Sequence, residues 1–485
     1  MISRRFTMTG SRGLLRLAVA LLLLLTVAPD VALAADLTVC PAGPPDCQYT
    51  SIQDAVDAAR RVDVIKVAEG TYTGVNDYGG LRQVVYIEKT VTIRGGYTAP
   101  DFSEPPDPEA NPTTLDAGGQ GRVIYIKKNA KPTIEGLRIT GGNAAGLGGW
   151  WVRGVGGGVY ADQASVTMRG NQVFGNSADW GGGLFLFTRE ATLRGNTLSD
   201  NFALSYGGGL MLWQSPATFS DNTISGNTAS GWGGGMFLHL SDEATLKGNA
   251  ISGNAATDWG GGGVILNRSA ATLKDNNVTA NTAKWGGGLH LLYSDATLKD
   301  NTISGNTADV AGGVSLDNSA ATLNGNTIDS NTAHEGGGLL LSNSDATLQN
   351  NTISGNTANN GGGLRLSQSP ATLKGNLIDA NTANDSGGGL HLSNSNAEFR
   401  DNTISGNEAY GWGGGGVFLD VSTATLDGNT ISENTANHGG GLILGSSPAT
   451  LSRNTISGNI ANASGGGLQV KESEATLRDN EISGN

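Results

Sequence analysis

Five aromatic residues stand directly before glycine runs at intervals of 26 or 27 residues: Trp180, Tyr206, Trp232, Trp259 and Trp285. Open-faced rings held at a fixed spacing can stack on the apolar faces of sugar rings, so the chemistry they offer is carbohydrate binding. Trp213 adds a ring at an outward position of a neighbouring alternating run, beside Tyr160, Phe185, Phe187, Met211 and Phe237. Trp412 repeats the motif much later, whereas the intervening copies carry Val310, Glu335, Asn360 and Ser386 at this place. The competing expectation is that rings ~5 Å apart stack on one another and only brace a turn, worth ~0.5–1.5 kcal/mol per pair.

Other chemistry has less support. Glycoside hydrolysis needs paired carboxylates at a fixed separation, but Asp179, Asp258, Asp309 and Glu335 fall singly and at shifting offsets. No acidic cluster with metal-ligand spacing occurs, so neither a catalytic residue nor a metal or other cofactor is assigned. The five histidines, His239, His290, His334, His391 and His438, are expected on the surface. Turns of two to five residues between the asparagines and the glycines are too short to wall a cleft that excludes water. The exception is the stretch 143–157, where Trp150, Trp151 and Arg153 interrupt the glycines.

These residues are positioned by a unit of 25 to 27 residues that recurs thirteen times from Gly156 to Asn485. Each copy carries two asparagines five apart, among them Asn171 and Asn176, Asn196 and Asn201, Asn222 and Asn227, Asn301 and Asn306, and Asn351 and Asn356. A period of this length means stacked supersecondary units whose cores form only between neighbours. Within Gly286–Ala308, three short runs alternate around Leu289 and Leu291, Leu298 and Ile303. Period two in runs bounded by Gly, Asn, Asp and Ser gives strands and excludes long helices. The fold expected is all-β, a single-stranded parallel β-helix with three short strands per coil. The asparagines should form ladders at the bends and adopt the left-handed backbone there.

This arrangement resembles the right-handed parallel β-helix proteins of the pectin-lyase-like superfamily, and more narrowly bacterial surface proteins with polymorphic-outer-membrane-protein repeats. The literal matches are Phe219-Ser220-Asp221-Asn222 and Phe399-Arg400-Asp401-Asn402, with Leu replacing Phe in Leu193-Arg194-Gly195-Asn196. The resemblance implies a fold rather than a chemistry, because that superfamily holds lyases, hydrolases, epimerases, adhesins and inert stalks.

Residues 1–34 read as a signal peptide, with Arg4, Arg5, Arg12 and Arg16 before the apolar run 17–27 and Ala32-Leu33-Ala34 as the cleavage site. Residues 35–62 should form an N-terminal cap. Cys40 and Cys47 are expected to form a disulfide there, and Ser51 to cap a short helix whose Ile52, Val56 and Ala59 cover the open core. Irregular coils are expected over 63–142, with a Pro-rich loop at 97–112, and regular ones over 143–485. The chain stops at the second asparagine of its last copy, so the last coil is expected either to be covered by another chain or, the favoured reading, to belong to a longer protein with a further C-terminal module.

A net charge of −13 with dispersed basic residues argues against nucleic-acid or anionic-membrane partners, and after the leader no run of twenty apolar residues offers a membrane span. A Thr-x-Ser ladder such as Thr302 and Ser304 resembles ice-binding faces, but Asp329, Leu377, Asp379 and Glu481 interrupt it and threonine suits exposed strands on propensity alone. The reading that emerges is an exported, extracellular or cell-surface β-helix without catalytic function, which binds polysaccharide or a cell-surface glycan through the aromatic strip. The alternatives are a polysaccharide lyase or hydrolase with its site near 150–153, and a structural stalk.

Overall fold

The computed structural model describes residues 34–78, 80–150 and 153–485, so the predicted leader, Ala34 aside, and Trp151 lie outside the described residues. From Asp36 to Ser483 the chain winds as a parallel β-solenoid, and its one helix among the described residues is Ile52–Ala58. The expected strands form in the reference coil at Leu289–Leu292, Thr297–Lys299 and Thr302–Ser304. A further short strand, Thr307–Val310, comes next, in the turn before the following glycines. The period-two pattern did not announce this strand, because it lies in a polar run.

Coils stack in register, so like residues stand over like. Leu289 and Leu291 pair with Val314 and Leu316, Leu298 with Leu323, and Ile303 with Ile328. These columns merge into one continuous core from Leu37 to Ile456. The third strands make an unbroken 16-stranded sheet. At the N-terminal end, Ser51 caps the helix by accepting from the Asp54 N–H at 3.2 Å, and Ile52 and Val56 are buried against the first coils. Cys40 and Cys47 form the expected disulfide, packed with Ala68, Tyr97 and Phe102.

The asparagines form two parallel ladders, as expected, one for each member of the pair. In the first, Asn171 Nδ2 donates to Asn196 Oδ1 at 2.9 Å and Asn196 Nδ2 to Asn222 Oδ1 at 3.0 Å, and Asn301 and Asn351 continue the column through Asn326. In the second, Asn176 Nδ2 donates to Asn201 Oδ1 and Asn201 Nδ2 to Asn227 Oδ1, both at 3.0 Å. Higher in that column, Asn306 donates to Asn331 at 3.0 Å and Asn356 to Asn381 at 2.9 Å.

The backbone expectation is corrected. The ladder asparagines do not take the left-handed conformation; the residue before each of them does. For Asn176, Asn201, Asn227, Asn306 and Asn356 that residue is Gly175 (φ 61°), Asp200 (φ 55°), Gly226 (φ 64°), Gly305 (φ 61°) and Gly355 (φ 62°). Gly170, Gly195, Asp221, Asp300 and Asn350 do the same before Asn171, Asn196, Asn222, Asn301 and Asn351. Chain reversal falls to the preceding residue because the ladder needs the asparagine side chain turned inward. A second device, a serine ladder, closes the bend between the first and second strands. There the Ser294 N–H donates to Ser319 Oγ at 2.9 Å, and the Ser319 N–H to Ser344 Oγ at 3.1 Å. Its sequence signal is a serine two residues before most Ala-Thr-Leu runs, as at Ser294, Ser319 and Ser344.

Candidate functional site

Register fixes the surroundings of the aromatic strip. The residue between the two inward leucines of each first strand forms a single outward column. It runs Tyr86, Tyr125, Tyr160, Phe185, Met211, Phe237, Ile265, His290, Ser315, Leu340, Arg365, His391, Phe418, Ile443 and Gln469. Outward does not mean exposed here. The turn strands fold over this column, and Tyr160, Phe185, Met211 and Phe237 are buried in a second apolar cluster outside the barrel. The same cover corrects the expectation for two histidines: His290 is 4% and His391 7% exposed. His239 is half-buried, Trp213's ring centroid lies 4.4 Å from it, and His334 is exposed.

The covering turn column carries Val155, Trp180, Tyr206, Trp232, Trp285, Val310, Glu335, Asn360 and Ser386. Its rings face one another. Trp232 and Trp259 stack at 5.5 Å and 5°, Trp259 and Trp285 at 5.7 Å and 19°, and Trp180 and Trp213 at 5.9 Å and 12°. Tyr206 lies 5.4 Å from Trp180 and 5.0 Å from Phe237. This is the geometry of a braced turn, with ring edges rather than most faces presented outward.

Two coils differ, and both carry a fourth glycine. Gly260 pairs with Trp285, and Gly413 with Ser386, so the extra glycine takes the ladder position that tryptophan fills elsewhere. The indole before it is pushed out: Trp259 is 48% and Trp412 71% exposed. Gly413 has φ 134°, and a Cβ there would lie 2.0 Å from the His438 carbonyl oxygen, so no other residue fits.

Where the covering residues shrink, the space between the turn column and the first strands opens into two separate hollows, which share no lining residue and follow one another along the stack as the two parts of a trough. Its first part, about 440 Å³, is lined by Trp232, Trp259, Trp285, His290, Asp317 and Leu340 among others. Burial holds His290 down to about 4, hence neutral, and raises the Asp317 carboxyl above its ordinary range. The second part, about 710 Å³, is lined by residues from Glu335 to Glu472 and includes Arg365, Asp385, His391, Trp412 and Asp420. Arg365 pairs with Glu335, whose Oε1 also accepts from Asn360 Nδ2 at 3.3 Å. Burial, aided by Arg365, pushes His391 down to about 3.

The stretch 143–157 makes a small antiparallel hairpin, Gly149–Trp150 against Arg153–Gly154, rather than a wall of carboxylates. Asp179 serves it structurally, accepting the Gly154 N–H at 2.7 Å. Beneath it, the fully buried Arg122 donates to the carbonyl oxygens of Val155 (2.8 Å) and Gly148. On the remaining faces opposite charges interleave, as in Arg194–Asp221 at 3.6 Å and Arg400–Glu398 at 2.8 Å.

Residues 217–353 and 337–485 match the model of the right-handed β-helix region, and residues 109–282 match that of the periplasmic copper-binding protein NosD. No curated protein matches the chain. Among solved structures, the A-module of a mannuronan C-5 epimerase of Azotobacter vinelandii is 13% identical, with 90% of this chain and 94% of that chain covered and a TM-score of 0.37. The tailspike of Escherichia coli bacteriophage HK620, solved with a pentasaccharide, is 11% identical over 88% and 74% of the two chains, with a TM-score of 0.27. The residues do not fit copper. The NosD-like span holds His239 as its only histidine and no cysteine, and Met168, Met211 and Met236 are fully buried in apolar clusters. Among the described residues no three of His, Cys, Asp or Glu gather as a metal site.

Proposed function

Because the chain belongs to the right-handed β-helix family, whose model spans residues 217–485, and because a trough runs in register along its outer face, we propose that it is an exported β-helix that binds polysaccharide along that trough. The observation that carries the reading is the trough itself: a groove several coils long, edged by indoles, suits a linear polymer better than a compact ligand. Trp232, Trp259 and Trp285 form one wall, while Trp180, Tyr206 and Trp213 brace the turns beside it. Catalysis is not part of the proposal. Glu335 is tied to Arg365, and Asp179 to a backbone amide, rather than poised as an acid and base pair. Export is supported by the composition of residues 1–34, by the disulfide, and by the match to a family described as periplasmic. No helix among the described residues is long and apolar enough to cross a membrane.

Affinity electrophoresis of the mature protein through gels containing different polysaccharides tests the reading. Retardation in at least one gel, reduced at least ~10-fold in affinity by Trp232→Ala/Trp259→Ala, is expected if the two rings together contribute about 1.4 kcal/mol or more. Equal migration in every gel would favour the second reading, a structural stalk. The mutual stacking of Trp232, Trp259 and Trp285 favours that role, because the faces between them are occupied.

A further inference from the structure

The second part of the trough combines an open ring, a bare acceptor and an excess of carboxylates. Trp412 is the most exposed large apolar side chain among the described residues, and the ladder position beside it belongs to Gly413, which lies between Ser386 and the His438 backbone rather than between aromatic rings of the strip. Its indole face is therefore free to carry a pyranose ring. Across the floor, the Ser386 hydroxyl donates to Asn360 Oδ1 at 2.7 Å. That leaves a Ser386 lone pair to accept the proton of His391 Nδ1, 3.3 Å away. With Nδ1 protonated, Nε2 is an acceptor, and it has no partner although the side chain is more than nine-tenths buried. A buried acceptor in a groove wants an O–H or N–H donor.

The charges around it are unbalanced. Four carboxylates line the groove, Glu335, Asp385, Asp420 and Glu472, against two cations, Lys471 and Arg365, and Arg365 is itself paired with Glu335. Both features reject an anionic ligand and suit hydroxyls, which donate to carboxylates and to His391 Nε2.

We propose that the groove around Trp412, Asp385, His391 and Asp420 is a subsite for uncharged, hydroxyl-rich sugar chains, with a pyranose ring on Trp412, and that its carboxylates exclude uronate polymers. The inference deepens the polysaccharide-binding reading and rests on it. It also predicts a direction of selectivity that the reading alone does not contain.

Calorimetric titration of the mature protein tests it, using neutral hexasaccharides (maltohexaose, cellohexaose, N-acetylchitohexaose) and the anionic hexagalacturonate and hexamannuronate. At least one neutral oligosaccharide should bind ~10-fold or more tightly than either uronate, and Trp412→Ala should weaken it ~10-fold. Trp412 is exposed, so this variant leaves the core intact. Asp385→Asn/Asp420→Asn should raise the ratio of uronate to neutral affinity several-fold. A uronate that binds wild-type protein as tightly as the best neutral chain overturns the inference and leaves polysaccharide binding standing. So does a Trp412→Ala variant with unchanged affinity. If the gels and the titrations both show no binding of any glycan, the underlying reading falls and the inference falls with it.

Discussion

Asn301→Ala is expected to destabilise the central coils by roughly 3–5 kcal/mol, far more than a surface substitution. The reason is the number of buried partners one amide serves. Asn301 Oδ1 accepts both the backbone N–H of Asn276 (3.0 Å) and its side-chain amide (2.9 Å). Asn301 Nδ2 donates to the Leu273 carbonyl and to Asn326 Oδ1, both at 2.9 Å. Truncation leaves the Asn276 N–H with no acceptor in a site 2% exposed, while the other three groups each lose one of their bonds. A buried donor left unpaired costs about 1–3 kcal/mol, and the lost net bonds add about 1 kcal/mol each, partly recovered by relaxation. Thr302→Ala provides the contrast: its side chain stands exposed beside the ladder, and a change within about 0.5 kcal/mol is expected. Because stacked repeats open coil by coil, urea midpoints should be read together with amide exchange in the neighbouring coils. An Asn301→Ala protein whose midpoint and exchange match wild type would show that the ladder is ornamental.

The ladders and the core columns were legible because each is a strict repeat in a position whose physical demand is the same in every coil. Leu289, Leu298 and Ile303 recur because the interior offers the same slot each time. The backbone at the bends was misread, because the tolerance of asparagine for left-handed φ is real but Asn306 and Asn356 spend their side chains on the ladder and leave the turn to Gly305 and Gly355. The outward residues were harder to read. Period two reports which side of a strand a residue is on, and His391 does point away from the core, but a short turn strand covers that side. The turn strands carry sequences such as Thr307-Ala308-Asp309-Val310, which lack the apolar alternation that marks a strand. The trough was invisible for the same reason, since it lies between two elements of which only one had a pattern. The exposure of Trp259 and Trp412 did have a signal. Both precede four glycines instead of three, and one inserted residue shifts the indole off the ladder position. That shift brings both rings into solvent, although Trp259 still stacks between Trp232 and Trp285.

Acidification from pH 7 to about 4.5 is expected to destabilise the protein through His290 and His391, and His290→Phe/His391→Phe is expected to remove most of that loss. Both imidazoles are buried neutral, with Nδ1 of His290 and Nε2 of His391 unpartnered. Their folded values, about 4 and about 3, lie below the value near 6.5 of an unfolded histidine. A depressed folded value means that the unfolded chain binds more protons between the two limits. The histidines' contribution is therefore intact above about pH 6.5 and declines as pH falls toward the folded values. By pH 4.5 the gap from 6.5 is about two units for each histidine, worth roughly 2–3 kcal/mol apiece before relaxation. Asp317 acts in the opposite sense: desolvation raises its carboxyl, so protonation on acidification favours the folded state. Comparing wild type with the double phenylalanine variant at both pH values cancels that contribution. Phenylalanine is a fair replacement because Phe237 and Phe418 already occupy the same column. Urea midpoints at pH 7 and 4.5 supply the measurement. An equal acid loss in both proteins would mean that the covered histidines take up protons in place, and that the trough floor is wetter than its burial implies.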